Sequence, residues 1–143
     1  MRHYGPMPTE HLPLADAGPT VRDAMLLEPR ATPADTPLAR VRETFANPHV
    51  HLVLVVGADG RFAGTLTRDD LPPDAPDDAP IGDFVRPDAP RIDPGAPVAR
   101  AVELLEAEDA TRLPVVDEEG VLRGLVCWDR AGARFCVDAG RLG

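Results

Sequence analysis

The apolar positions of this chain fall into two runs with the same rhythm. In the first, Leu38, Val41 and Phe45 recur at three- and four-residue spacing, the period of a helix with one buried face. Two stretches rich in β-branched and apolar residues follow, 51–56 and 62–67, with Asp59-Gly60 between them. That order predicts a helix and then two strands joined by a tight hairpin, whose glycine takes the positive φ such a turn demands. In the second run Val98, Ala101, Val102 and Leu105 mark the helix, 112–116 and 121–127 the strands, and Glu119-Gly120 the turn. Each helix carries a proline at its expected first position, Pro37 or Pro97, where the missing N–H costs nothing.

Weaker signals flank each run. Thr20 with Asp23 reads as a capping box ahead of Ala24-Met25. Short extended stretches are expected near 30–32 and 91–93. A closing helix is expected to start around Arg68 and around Trp128. The predicted order is therefore strand, helix, strand, strand, helix, twice over. This is an α+β class with two β-α-β-β-α repeats packed about a pseudo-twofold axis.

The two runs align at an offset of 60 residues without a gap. Asp23, Pro37, Ala39, Arg40, Glu43, Val55, Val56, Gly60, Gly64 and Asp69 each meet an identical residue in the second copy. Those ten identities exceed the roughly four that ordinary composition gives over such a length. The expected division is a Pro-rich arm at 1–19, flexible or wrapping a neighbour, and a first repeat at 20–71. A linker follows at 72–80, then a second repeat at 81–138 and a tail at 139–143. The linker sequence PPDAPDDAP is expected to stay extended and solvated.

Charge and composition narrow the function. The 143 residues carry a net charge of −9, and Arg supplies every one of the 15 cations. That balance argues against nucleic acid as a partner, because phosphate backbones need a surplus of positive charge. No apolar run approaches the ~20 residues a membrane span needs, and the N-terminal stretch lacks the apolar core of a signal peptide. Cys127 and Cys136 are too few for a disulfide framework and are expected to be reduced. A cytoplasmic protein without a membrane partner is the expectation. His49 and His51 share a strand face, but no third ligand stands at metal spacing, so no metal is expected. The chain has no serine, and adjacent Asp69 and Asp70 point apart, so no catalytic dyad forms and no enzyme is expected. Trp128 is read as a core or dimer contact.

Two segments carry a family resemblance: Leu113-Pro114-Val115-Val116-Asp117 in the second copy, and Gly64-Thr65-Leu66-Thr67-Arg68-Asp69-Asp70 in the first. In register over residues 20–138, they resemble a tandem pair of cystathionine β-synthase (CBS) domains, a Bateman module. The resemblance implies a regulatory module that requires no cofactor. It would bind AMP, ADP, ATP or S-adenosylmethionine between the repeats. On this reading Gly64 lets backbone approach the ligand and Thr67 meets a phosphate oxygen. Asp70 accepts from the ribose hydroxyls, which a carboxylate can do with two oxygens. Ala31 and Thr32 line the adenine, and Val53 belongs to the same set. In part of the family a His-Arg pair before the Leu-Pro-Val strand reaches phosphates. Here His51-Leu52 and Thr111-Arg112 each keep one of the two, which makes His51 and Arg112 phosphate-contact candidates. The second copy departs from the pattern, with Cys127 for the threonine and Arg130 for the aspartate; the first has Leu54 where a proline is expected.

Two readings stay open at this point. One is the ligand sensor, a homodimer acting on an effector protein that the chain does not name. The other is a ligand-free dimerisation or scaffold module, in which Gly64, Thr67 and Asp70 only make a capped strand-to-helix turn.

Overall fold

The computed structural model describes residues 9–138. The expected tail at 139–143, and the arm as far as residue 8, lie outside them. Two helices combine with sheets of mixed strands, the expected α+β class. The chain divides into two compact units whose boundaries cross the repeats. One holds the described residues of 1–29, 90–117 and 123–143; the other holds 30–89 and 118–122. Each repeat thus sends its opening turn into the unit built around the other repeat's helix and strands.

The first unit carries a five-stranded sheet. Its path runs β1 (Thr9–Pro13), β8 (Arg134–Asp138), β7 (Leu122–Asp129), β2 (Leu26–Leu27), and β6 (Arg112–Val116) also pairs with β7. Helix α2 (Val98–Ala107) packs Ala101 and Leu105 into the core, with Val98 and Val102 partly buried beside them. Phe135, Val115, Val126 and Val137 are fully buried in that core. The helix ends where Asp109 turns to φ 52, and Ala110 donates back to the Leu105 carbonyl at 2.9 Å.

The second unit carries the sheet β3 (Thr32–Pro33), β4 (Val53–Val56), β5 (Phe62–Leu66), with β3 parallel and β5 antiparallel to β4. Helix α1 (Leu38–Phe45) buries the expected Leu38, Val41 and Phe45 against it, each worth roughly 1.5–3 kcal/mol. Pro37 and Pro97 stand one place earlier than expected, at the cap rather than the first helical position. Neither has a side chain to cap with, so a carbonyl from another segment serves. Leu38 N–H donates to Ala79 at 2.8 Å and Ala39 N–H to Asp77 at 2.9 Å, while Val98 N–H donates to Pro19 at 3.1 Å. Gly60 and Gly120 take φ of 82° and 86° at the two hairpin turns, as expected.

Three expectations are corrected. Residues 9–13 are not a loose arm. They form β1, paired antiparallel with β8 from Thr9–Asp138 to Pro13–Arg134. The linker is not merely solvated. Arg42 of α1 donates Nη2 to the carbonyls of Pro72 at 2.8 Å and Ala75 at 3.1 Å, and its Nη1 pairs with Asp77. Neither closing helix forms. After β5 a single 3-10 turn, Arg68–Asp70, is stopped by Pro72, because a residue before proline is driven out of helical space, and Leu71 sits at φ −87, ψ 115. After Trp128 the chain continues as strand through Asp129, turns at residues 130–133, and returns as β8. Alternation decides that outcome: Phe135 and Val137 point inward while Arg134, Cys136 and Asp138 are only half-buried. Asp129 closes the turn, accepting from Gly132 N–H at 3.3 Å and from Arg134 Nε at 2.9 Å, and the arginine holds its carboxyl below the usual carboxylate range.

Candidate functional site

Strand register places most of the expected ligand residues at one end of the three-stranded sheet. β3 runs parallel to β4 with Thr32 opposite Val55, and β5 returns with Leu66 opposite Val53. Ala31 lies at the entry of β3, His51 just before β4, and Thr67 just after β5, all toward the same edge. Asp70 follows in the turn that Thr67 caps. His51 is exposed; Ala31, Thr32, Thr67 and Asp70 are half-buried. Val53 is buried in the core of this unit, so what it offers at that end is backbone.

Thr67 and Asp70 form a closed unit of their own. Asp70 Oδ2 accepts from Thr67 N–H at 2.8 Å and from the Thr67 hydroxyl at 3.0 Å. Oδ1 takes no bond from the described residues. The same device stands at the start of the first repeat, where Asp23 Oδ2 accepts from Thr20 N–H at 3.1 Å and its hydroxyl at 3.0 Å. Arg68 completes the corner, donating Nη2 to the carbonyls of Phe45 at 2.7 Å and Asn47 at 2.8 Å, with its guanidinium 5.2 Å over the Phe45 ring. It thereby satisfies the last carbonyl of α1 and one just beyond the helix end.

Gly64 stands at φ 148 with its open side against protein. A Cβ there would lie 2.6 Å from the Arg86 carbonyl oxygen and 3.1 Å from Val85 Cβ. Arg86 pairs beside Thr65, donating its N–H to the Thr65 carbonyl at 3.0 Å. Gly124 does the same work in the first unit, where a Cβ would meet the Leu26 carbonyl at 2.6 Å. Sixty residues separate Gly64 from Gly124, and Leu26 from Arg86. Both glycines thus admit the opening segment contributed by the other repeat. That role was not read from the sequence, although the shared offset carried the signal.

Arg112 belongs to the first unit. It is exposed, opens β6, and donates Nη1 to the Thr111 carbonyl at 3.3 Å. The departures of the second copy are engaged internally. Arg130 bonds Asp109 at 2.7 Å and Glu106 at 3.3 Å, and these carboxylates raise it above its ordinary value. Trp128 is 5% exposed, lies 4.9 Å from the Phe135 ring, and donates Nε1 to Glu106 at 3.2 Å. Burial, helped by a hydrogen bond with Cys136, pushes the Cys127 thiol up to about 12. Both cysteines are free. Among the described residues no group of three or more His, Cys, Asp or Glu is placed to hold a metal, and no helix is long and apolar enough to cross a membrane.

No curated protein matches the chain significantly. Solved structures do. CBSX2 in complex with AMP is 22% identical, with 81% of this chain and 93% of that one covered at a TM-score of 0.67. A CBS domain pair/ACT domain protein from Thermotoga maritima is 20% identical, covering 76% and 88% at 0.66. The cytosolic domain of the Mg2+ channel MgtE in complex with ATP is 26% identical at 0.64, and 76% of this chain matches 46% of that one. The CBS domain family model matches twice in tandem, at residues 21–71 and 81–129. With both repeats matched and the fold shared, the chain belongs to the CBS domain family, as a tandem pair.

Proposed function

We propose that this CBS pair is a regulatory module, without catalysis of its own, that senses an adenosine ligand at the Ala31, His51, Thr67 and Asp70 end of its three-stranded sheet. The gathering of those residues at one end of the sheet carries the reading. Two neighbours of the same fold, CBSX2 and the MgtE cytosolic domain, were solved with AMP and ATP, which supports it. Asp70 is already oriented by its two bonds from Thr67, so its carboxylate loses little freedom on meeting a ribose. Oδ1 is the oxygen offered, and the exposed His51 imidazole is the phosphate contact. The fitting ligands are AMP, ADP, ATP and S-adenosylmethionine.

The duplicate Thr20–Asp23 box supports a second reading, in which Thr67–Asp70 is only a cap and the module is a ligand-free homodimer acting through a protein partner. One pair of variants separates the two. Asp70→Ala and Asp23→Ala remove the same cap, each at about 0.5–2 kcal/mol. A ligand at a hundred times its Kd stabilises the fold by about 2.7 kcal/mol, on the order of 8 °C in Tm. The sensor reading expects that shift with one of the four compounds in the parent and in Asp23→Ala, and its loss in Asp70→Ala. No shift with any of them leaves the ligand-free reading standing, and equal shifts in both variants place the ligand away from Asp70 and overturn the proposed site.

A further inference from the structure

A different place in the molecule is built asymmetrically between the two units. In the first unit Arg22, Met25, Pro94, Asp117 and Arg123 line a cavity of about 340 Å³. It lies at the hairpin end of the sheet. Asp117 follows β6 and Arg123 is the second residue of β7. Thr111 and Arg112, at the opposite end of β6, are far along the strand from it.

The equivalent place in the second unit, sixty residues away in each case, holds Gly82, Val85, Ala34, Gly57 and Ala63. The backbone scheme is the same in both. Arg22 N–H donates to the Pro94 carbonyl at 3.0 Å, and Gly82 N–H donates to the Ala34 carbonyl at 2.9 Å. The side chains differ completely. In the second unit a Cβ on Gly82 would already lie 3.0 Å from Ala34 Cβ, so small residues close the space. In the first unit the space is open and every charged group of the pair of sites has been gathered there.

Two guanidiniums and one carboxylate line the cavity. Asp117, with a side chain only 16% exposed, accepts from Arg123 Nε at 2.6 Å. That bond fixes the guanidinium plane by its inner edge and leaves its terminal Nη groups to donate elsewhere. Arg22 brings a second guanidinium. The site sums to one positive charge in a chain whose net charge is −9. Planar guanidinium forks match carboxylate and phosphate oxygens. Met25 and Pro94 supply apolar wall, and the volume falls at the small end of ordinary ligand pockets.

We infer that this cavity binds a small organic oxyanion, a carboxylate or a phosphate monoester with an apolar body, independently of the nucleotide end of the other unit. Its test titrates phenyl phosphate, benzoate and inorganic phosphate into the 15N-labelled full chain at low salt. The expected result is saturable amide shifts centred on Arg22, Met25 and Arg123. Phenyl phosphate should bind more tightly than inorganic phosphate, because only it reaches the apolar wall. Comparison of phenyl phosphate with benzoate identifies the preferred head group. Arg22→Gly copies the residue that the equivalent position already tolerates, and should weaken binding roughly 10- to 100-fold. Arg123→Gln should do the same, with melting curves checking that the fold survives loss of the Asp117 pair. Asp70→Ala should leave these affinities unchanged, which keeps this inference separate from the nucleotide reading. Shifts absent from these residues, wild-type affinity in Arg22→Gly, or equal affinity for phenyl and inorganic phosphate overturns the proposal.

Discussion

Three glycines of this chain form a natural series for measuring why the two opening segments dock as they do. Gly60 has φ 82 and nothing within 4 Å of an added Cβ, so Gly60→Ala tests backbone conformation alone. Gly124 has no positive φ, but its added Cβ would meet the Leu26 carbonyl and Met25 Sδ at 2.6 Å, so Gly124→Ala tests contact alone. Gly64 has both, with φ 148 and the Arg86 carbonyl at 2.6 Å. The first change should cost about 1–2 kcal/mol, the left-handed penalty of an L-residue. The second should cost about 1–3 kcal/mol, as other overpacked sites do; Met25 can swing away, but the Leu26 carbonyl belongs to the β2–β7 pairing and cannot. Gly64→Ala should cost more than either, about 2–5 kcal/mol, because one added Cβ must meet both the strained φ and the Arg86 carbonyl. Against a total stability of ~5–15 kcal/mol, that is a large fraction. Urea denaturation reads it: with m of about 1–3 kcal/mol per molar, the midpoint of Gly64→Ala falls by about 0.7–5 M at constant m. A Gly64→Ala midpoint no lower than that of both other variants refutes the claim that this glycine admits the Arg86 segment.

Two further expectations concern groups that do not touch the candidate site. Arg42→Ala removes the clamp on the linker and should cost about 1–3 kcal/mol, with proteolytic cleavage at 72–78 accelerated; unchanged cleavage would sink the clamp. Cys127 should resist thiol reagents in the folded state at pH 8. Its thiol is raised from 9.0 to about 12, so the folded state keeps a proton that the unfolded state gives up. Stability is whole below pH 9 and should decline between pH 9 and 12 by up to ~1.4 kcal/mol per pH unit. Cys127→Ala should show a flatter decline over that window in paired denaturation curves, and identical curves would refute the assignment.

The helices and central strands were legible because each rests on a local period. Leu38, Val41 and Phe45 announce one buried face, and the Gly60 and Gly120 turns announce their hairpins. What could not be read was everything settled by distant partners. The Thr67 turn has the opening of a helix, and only Pro72 and the Arg42 clamp convert the rest into a docked linker. Around Trp128 the residues Arg130, Ala131 and Ala133 all favour helix. The alternation of Phe135 and Val137, together with β1 waiting to pair, overrules them. The exchange of opening turns between repeats has no local signature at all; it shows only in paired offsets such as Gly64 with Arg86 and Gly124 with Leu26.

The candidate site divides along the same line. Thr67 and Asp70 were legible as a motif, but the sequence could not say that their mutual bonds already use Oδ2. Nor could it say that Gly64 faces Arg86, because that contact spans the repeats. The substitutions at Cys127 and Arg130 read as losses from a family pattern. In three dimensions they are gains of another kind, since Arg130 and Trp128 tie β7 to the end of α2 through Glu106 and Asp109. The second repeat has traded the Thr-x-x-Asp turn for an ion-paired corner. Two repeats with one backbone scheme thus carry different side chains at equivalent places. The chemistry that distinguishes them lies in side chains where an alignment of the two copies shows only mismatches.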